Sequence, residues 1–226
     1  MESKTLSEPA RTSLARTLAP RVAERTTLVD QVAHRIRREI ILGTLDPGRH
    51  LVEKRLAEDL SVSRGTVREA LTRLASTGLI ESSAGSGHRV RYFSDGDIVE
   101  IGAVFAALEG RGAFHAVLPL PESAENELRG IAENMRGLRL PEDVDILMRL
   151  DREFHGTLMS QQPNAKLVEA WQALESLIAV MMVPIMRRGL GSADNQADRH
   201  LLLVDAAMTG EREMLIKSLE QHYYQA

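Results

Sequence analysis

Leu56-Ala57-Glu58-Asp59-Leu60-Ser61-Val62-Ser63-Arg64-Gly65-Thr66-Val67-Arg68-Glu69-Ala70-Leu71 is the stretch whose reading decides the fold. Its spacing predicts a short helix over residues 52–60 that buries Leu56, Ala57 and Leu60, followed by a turn at Ser61-Val62-Ser63. Ser63 stands as N-cap of a second helix over 64–77. Val67, Ala70, Leu71 and Leu74 face inward there, and Arg64, Thr66, Arg68, Thr72 and Arg73 face outward, with Gly78 placed to stop the helix. Two short helices about a tight turn make a helix-turn-helix.

Upstream, Leu28, Val29, Val32, Ala33, Ile36 and Ile40 recur at helical spacing, and the helix should end near Gly43, before the turn at Asp46-Pro47-Gly48. Downstream, Leu79-Ile80 and residues 88–92 read as two strands joined by a Ser/Gly tip that contains Gly85, which is a wing. A helix presenting Arg64 and Arg68 one turn apart can reach guanine edges or phosphates in a major groove, while Thr66 and nearby amides contact the backbone. An arginine pair at that spacing is by itself usually a solvated face. The order of the elements is what makes the signal specific.

The chain has 226 residues, 43% hydrophobic but only 4% aromatic, so its core is aliphatic and a helix-rich fold is expected. With no cysteine, disulfides, thiolate metal sites and cysteine nucleophiles are excluded, and a cytoplasmic location is expected. The longest apolar run, 177–186, is too short for a membrane span. Residues 1–26 read as a flexible arm rather than a secretory signal. Residues 1–93 hold 16 Lys and Arg against 11 Asp and Glu, whereas 94–226 hold 12 against 21. A basic front half suits a polyanion and the acidic remainder something else.

Breakers at Pro119 and Pro121, Pro141, Pro163, Gly189 with Gly191, and Gly210 divide the remainder into six apolar-periodic segments, 97–118, 122–139, 143–161, 164–188, 193–209 and 211–224. The expected fold is mostly α: a winged helix-turn-helix over 27–93, then an all-α antiparallel bundle of six helices over 94–226. Asp151 and His155 lie four apart on one helix face, a spacing that suits two metal ligands but more often a surface hydrogen bond. His200 and His222 sit among apolar residues on two later helices, which suggests a water-poor setting. Trp171 and Met181, Met182 and Met186 read as core or dimer packing.

Residues 41–48, 56–71 and 74–80 resemble the winged helix-turn-helix of the GntR family of bacterial transcription regulators. That resemblance implies DNA contacts by Arg64 and Arg68, a backbone or base contact by Lys54 or Arg55, and Gly85 in the wing at the minor groove. Lys54 stands where close relatives carry Arg, so a phosphate contact is expected of it. Thr66 and Arg73 complete the expected DNA-facing set. The remainder resembles the FCD-type effector domain of the FadR branch, in its shorter, VanR-like form. In that domain an Asp-x-x-x-His pair and two later histidines hold one divalent metal, and Asp151, His155, His200 and His222 match them in order. Three imidazoles and a carboxylate suit zinc first, with nickel or manganese as alternatives. Where many relatives carry a carboxylate-binding Arg, this chain has Phe105, so Arg111 and Arg149 are the expected substitutes in effector binding, with Arg152 less favourably directed.

These features together predict a homodimeric regulator that binds operator DNA and responds to a small organic acid held near the metal. A metal-dependent hydrolase using the same His/Asp site is the competing class, and it lacks HExxH, a nucleophile elbow and a plainly placed general base. A DNA-binding protein without an effector is the third reading.

Overall fold

The computed structural model describes residues 27–83, 87–174, 177, 178, 180 and 192–224. The expected N-terminal arm, Gly85 and the methionines at 181, 182 and 186 lie outside the described residues.

Helix α1 (Leu28–Ile41) starts at a capping box: Thr27 accepts from the Asp30 N–H, and the Asp30 carboxylate accepts from the Thr27 N–H. Val32, Ala33, Ile36 and Ile40 are buried as their spacing predicts, whereas Leu28 stays 53% exposed at the helix start. Gly43, at φ 76°, takes the left-handed turn beyond the helix. Strand β1 (His50–Leu51) leads into α2 (Glu53–Leu60), α3 (Arg64–Ser76), β2 (Ile80–Ser83) and β3 (Gly87–Val90). In α2 Ala57 is buried while Leu56 and Leu60 are only half-buried. The Ser63 hydroxyl accepts from the Thr66 N–H at 3.1 Å and caps α3 as expected. The wing forms a three-stranded antiparallel sheet in the order β1-β3-β2, with Ile80 opposite Val90 and Leu51 opposite His88. β1 is an addition to the expected hairpin, since two residues are too short to show a period of two. Val67, Leu71, Leu74, Leu79, Ile80 and Val90 close one aliphatic core beneath α1.

Six helices follow among the described residues: α4 (Asp95–His115), α5 (Glu122–Glu133), α6 (Val144–Met159), α7 (Ala165–Leu174), α8 (Ala193–Met208) and α9 (Arg212–Tyr224). The segment expected as one helix over 164–188 is described as α7 to Leu174, with Ile178 and Val180 also helical. Helix α9 lies along α4, α8 packs on α5 and α9, and α5 packs on α6. Leu128, Met135, Leu147, Phe154, Val204, Leu215 and Leu219 form the main core of this bundle. At Gly112 α4 comes close to α6, where a Cβ would lie 2.8 Å from Met159 Sδ. Since Gly112 is three residues past Glu109 and Met159 four past His155, that close approach brings Glu109 and His155 face to face.

The two parts are joined by more than sequence. Ile41, at the end of α1, is fully buried in the bundle core. Arg38 reaches Asp145 at 2.9 Å and donates to the carbonyls of Pro141 and Glu142, ahead of α6.

Candidate metal centre and nucleic-acid interface

The four residues expected around a metal come from three helices. Asp151 and His155 stand on α6, His200 on α8 and His222 on α9, and one nitrogen of each imidazole lies within 4.8 Å of the others. Asp151 Oδ1 is 3.2 Å from His200 Nε2, off the line of a hydrogen bond. Phe154 sets its ring against both His155 and His200, closing an apolar wall. The nitrogens His155 Nε2, His200 Nε2 and His222 Nδ1 are buried and have no hydrogen-bond partner among the described residues.

Those orphaned atoms follow from what holds the rings behind. His200 Nδ1 faces the Gln196 carbonyl at 2.7 Å, and a carbonyl only accepts, so Nδ1 carries a hydrogen and, in the neutral ring, Nε2 the lone pair. His155 Nδ1 faces Glu109 Oε2 at 2.8 Å, with the same consequence. The other Glu109 oxygen accepts from the Tyr223 hydroxyl at 2.6 Å and from the Trp171 indole at 2.9 Å. Glu109 is 1% exposed and spends both oxygens as acceptors, so it fixes the ring of His155 in place. A buried, unsatisfied nitrogen is costly, and three of them within 4.8 Å of one another suit a cation. The cluster could therefore hold a metal ion, and its donor set fits a divalent one.

The charges around the centre are coupled. Burial opposes the charged form of Asp151, but His200 and His155 outweigh it and hold the carboxyl below its ordinary range. Burial likewise opposes protonation of His155, and Glu109 and Asp151 overcome it, so its pKa is raised. His222 has no carboxylate beside it; burial, then its two neighbouring histidines, push it well below the ordinary histidine value. Burial and then Glu109 push the Tyr223 hydroxyl well above its ordinary range, keeping it a donor.

Phe105, expected near an effector, is 1% exposed and stacks on Tyr223 at 5.7 Å, so it backs the Glu109 network from within the core. Arg111 and Arg149 are not brought to the histidines. Arg111 is exposed with its guanidinium over the Phe114 ring, and Arg149 is exposed and paired with Glu153, because each projects from the outer face of its helix. The guanidinium beside the centre is instead that of Arg199, half-buried next to His200 and donating to the His222 carbonyl. Burial depresses its pKa, and Asp151 opposes that shift. Arg199 and His222 also line an open cleft of about 320 Å³ between α8 and α9. Glu109 and Arg199 are the residues that sequence reasoning missed. Arg199 had a signal in standing next to His200, whereas Glu109 had none short of the packing of α4 on α6.

In the winged part, α2 and α3 carry the residues expected to face DNA. Arg64 and Arg68 have side chains 64% and 62% exposed, and both face Glu53 at the start of α2. Lys54 and Arg55 are 73% exposed and only loosely paired, with Glu58 at 4.0 Å and Asp59 at 3.9 Å. The Thr66 N–H is engaged by the Ser63 cap and its hydroxyl lies 2.8 Å from Ser63 Oγ with either as donor, so when Ser63 donates the Thr66 O–H is left to donate outward. Arg73 is engaged on two sides by Asp30 and Glu69, tying α3 to α1.

A winged helix-turn-helix joined to a helical bundle with a buried histidine centre defines a class of two-part transcription regulator. The chain belongs to the GntR family of bacterial regulatory proteins, whose model matches residues 28–90, and carries an FCD domain over residues 100–225. It is 34% identical, over 88% of its length and 86% of the relative's, to the "Probable D-xylose utilization operon transcriptional repressor" of Paenarthrobacter nicotinovorans. It is 30% identical to the gluconate operon transcriptional repressor of Bacillus subtilis strain 168, over 85% of this chain and 81% of that one. Among solved structures it superposes on E. coli McbR/YncC with a TM-score of 0.65 at 22% identity, covering 88% of this chain and 94% of that one. A putative GntR regulator from Rhodococcus sp. RHA1 superposes with a TM-score of 0.60 at 23% identity, covering 87% and 94%. The matched domains and named relatives are transcriptional regulators, and this chain is one rather than an enzyme. No helix among the described residues is long and apolar enough to cross a membrane.

Proposed function

We propose that the chain is a cytoplasmic, homodimeric regulator that binds operator DNA through residues 27–93 and senses a small organic acid through residues 94–226. The observation that carries this reading is the set of three buried imidazole nitrogens without partners among the described residues, the rings of His155 and His200 held from behind, in the same chain as an exposed arginine pair on a recognition helix. His155, His200, His222 and Asp151 would hold the ion. Zinc is the first choice, and nickel or manganese suit the same donors. When bound, the ion supplies coordination positions for the oxygens of a carboxylate or hydroxy acid.

Arg199 takes the role first expected of Arg111 and Arg149: a half-buried guanidinium beside the histidines that attracts the acid's charge. Phe105 acts indirectly, by holding Tyr223 and with it Glu109. Arg64, Arg68, Lys54 and Arg55 contact DNA, Thr66 contacts its backbone, Gly85 is read as meeting the minor groove, and Arg73 supports α3 through Asp30 and Glu69. A two-fold pair doubles the few base contacts one module can make. For the effector to switch DNA binding it must favour one arrangement of the helices over another. The junction of Arg38 with Asp145 and the carbonyls ahead of α6 gives the helix of Asp151 and His155 a direct hold on α1.

Elemental analysis and a mobility-shift titration test the two halves. About one divalent ion per chain is expected in the wild type and far less in His200→Ala/His222→Ala; undiminished metal in that variant places the site elsewhere. Duplex binding should weaken steeply with salt and be lost in Arg64→Ala/Arg68→Ala. Equal binding by that variant would remove α3 as the reading helix.

A further inference from the structure

Glu53 is the first residue of α2, and its side chain is only 20% exposed although it stands beside the exposed Arg64 and Arg68. Its Oε1 accepts from Arg68 Nε at 2.9 Å and its Oε2 from Arg68 Nη2 at 2.7 Å, which is a bidentate pair across the turn of the helix-turn-helix. The same Oε2 lies 3.8 Å from Arg64 Nη2. One carboxylate thus lies against both guanidinium groups on the exposed face of α3.

We propose that Glu53 is the positioning residue of the DNA interface: it sets which edge of Arg68 meets the bases. This rests on the reading of Arg68 as a base contact and adds how that contact is made selective. A guanidinium has two edges able to form paired hydrogen bonds, the side edge of Nε with one Nη and the end edge of the two Nη groups. Glu53 occupies the side edge, and the end edge, Nη1 with the outer hydrogen of Nη2, points onward from α3. That edge matches the O6 and N7 acceptors of guanine, the commonest arginine contact in the major groove. Held this way, Arg68 gives up little rotamer freedom on binding. The carboxylate also offsets the repulsion between Arg64 and Arg68 in the free protein and, being anionic, disfavours phosphate oxygens at the same place. Glu53 therefore adds to discrimination rather than to overall attraction for DNA.

The test uses the full chain. Duplexes selected by the wild-type protein from a random library serve as the specific probe, and unselected random duplex as the non-specific one. For Glu53→Gln, affinity for the selected duplex should fall by roughly 5- to 10-fold while affinity for random duplex stays level or rises by up to a few-fold, so that discrimination narrows. Preference for guanine should relax at one position of each half-site. In an Arg68→Ala background the Glu53→Gln change should have no further effect on discrimination, because there is no edge left to set. Glu53→Asp, charged but too short to reach both nitrogens, should restore only part of it. A parallel loss on both probes would mean that Glu53 merely supports the fold, and full discrimination in Glu53→Gln alongside loss in Arg68→Ala would overturn the positioning role alone. If Arg68→Ala itself leaves the selected duplex bound as before, the reading of Arg68 as a base contact fails first.

Discussion

Glu53 and Glu109 each fix a basic side chain through a short carboxylate contact, yet they do so in opposite surroundings. Glu53 works at the protein surface, where water and salt screen the pair and a single exposed contact adds little to stability. Glu109 works at 1% exposure, where its oxygens must be satisfied by His155, Trp171 and Tyr223 or the fold suffers. The surface acid can be tuned without endangering the molecule, which suits a face that selects among sequences. The buried acid holds the hydrogen of His155 on Nδ1 in the folded state, so a lone pair faces the centre whenever the ring is neutral.

The largest expected effect falls on the buried side. Replacing Glu109 by Gln turns one acceptor into a donor. Trp171 and Tyr223 both donate to one oxygen and will hold the amide carbonyl there, leaving the NH2 against His155 Nδ1. The ring must then accept at Nδ1 and carry its hydrogen on Nε2, pointing into the cluster. Metal affinity should fall by about 10- to 100-fold, and the metal-free protein should lose about 1–3 kcal/mol in urea unfolding. An unchanged affinity would show that His155 does not need Glu109 behind it.

A pH titration of the metal-free protein separates the charges in the same cluster. His155 has a raised pKa in the fold, so its contribution is complete below the ordinary value of 6.5 and is lost as pH rises through the higher folded value. Asp151 has a lowered pKa, so its contribution is present above 3.8 and lost as pH falls through the lower folded value. The melting temperature of metal-free protein should therefore decline above pH 6.5, while metal affinity rises over the same range because the ligands must be deprotonated. Parallel slopes for stability and metal affinity would contradict the pairing of His155 with Glu109.

How much of this was legible beforehand depends on the range of the interactions. The inner face of α1, the Ser63 cap and the stop at Gly78 are local, and each follows from residues within a turn of one another. Strand β1 is held by backbone pairing to β3, which leaves no pattern in two residues. Among the residues around the histidine centre, Asp151 and His155 show their helical spacing, but His200 and His222 joined them only through a resemblance. Glu109 meets its partners across 46, 62 and 114 residues, and nothing in a linear pattern marks such a meeting. Arg111 and Arg149 were expected near the effector by residue type alone; both lie on exposed helix faces, whereas Arg199 is half-buried next to His200.

On the exposed side the effects on stability shrink. Glu53→Gln, whatever it does to DNA selectivity, should change unfolding free energy by less than about 1 kcal/mol, since Arg68 is 62% exposed and water replaces the lost contact. Thermal or urea unfolding beside the Glu109 variant makes the contrast direct. A loss as large as that of Glu109→Gln would mean that the two acids do not differ in the way their surroundings imply.

The smallest effect concerns the residue that holds Glu53 in place. Val52 occupies the N-cap of α2 with extended backbone angles, φ -80° and ψ 109°, but its side chain makes no capping hydrogen bond. Serine fits the same angles, and its hydroxyl can accept from an otherwise unpaired amide in the first turn, a contact typically worth about 1 kcal/mol. Val52 is 56% exposed, so removing its methyl groups forfeits only part of a valine's burial. Val52→Ser should therefore raise stability by roughly 0.5 kcal/mol in urea unfolding, after that loss is set against the cap. Because a firmer first turn steadies the carboxylate of Glu53 without touching Arg68, discrimination between selected and random duplex should be kept or slightly sharpened. A variant that is stabilised yet reads DNA less selectively would show that the clamp needs a loose first turn, reversing the role assigned to that end of α2.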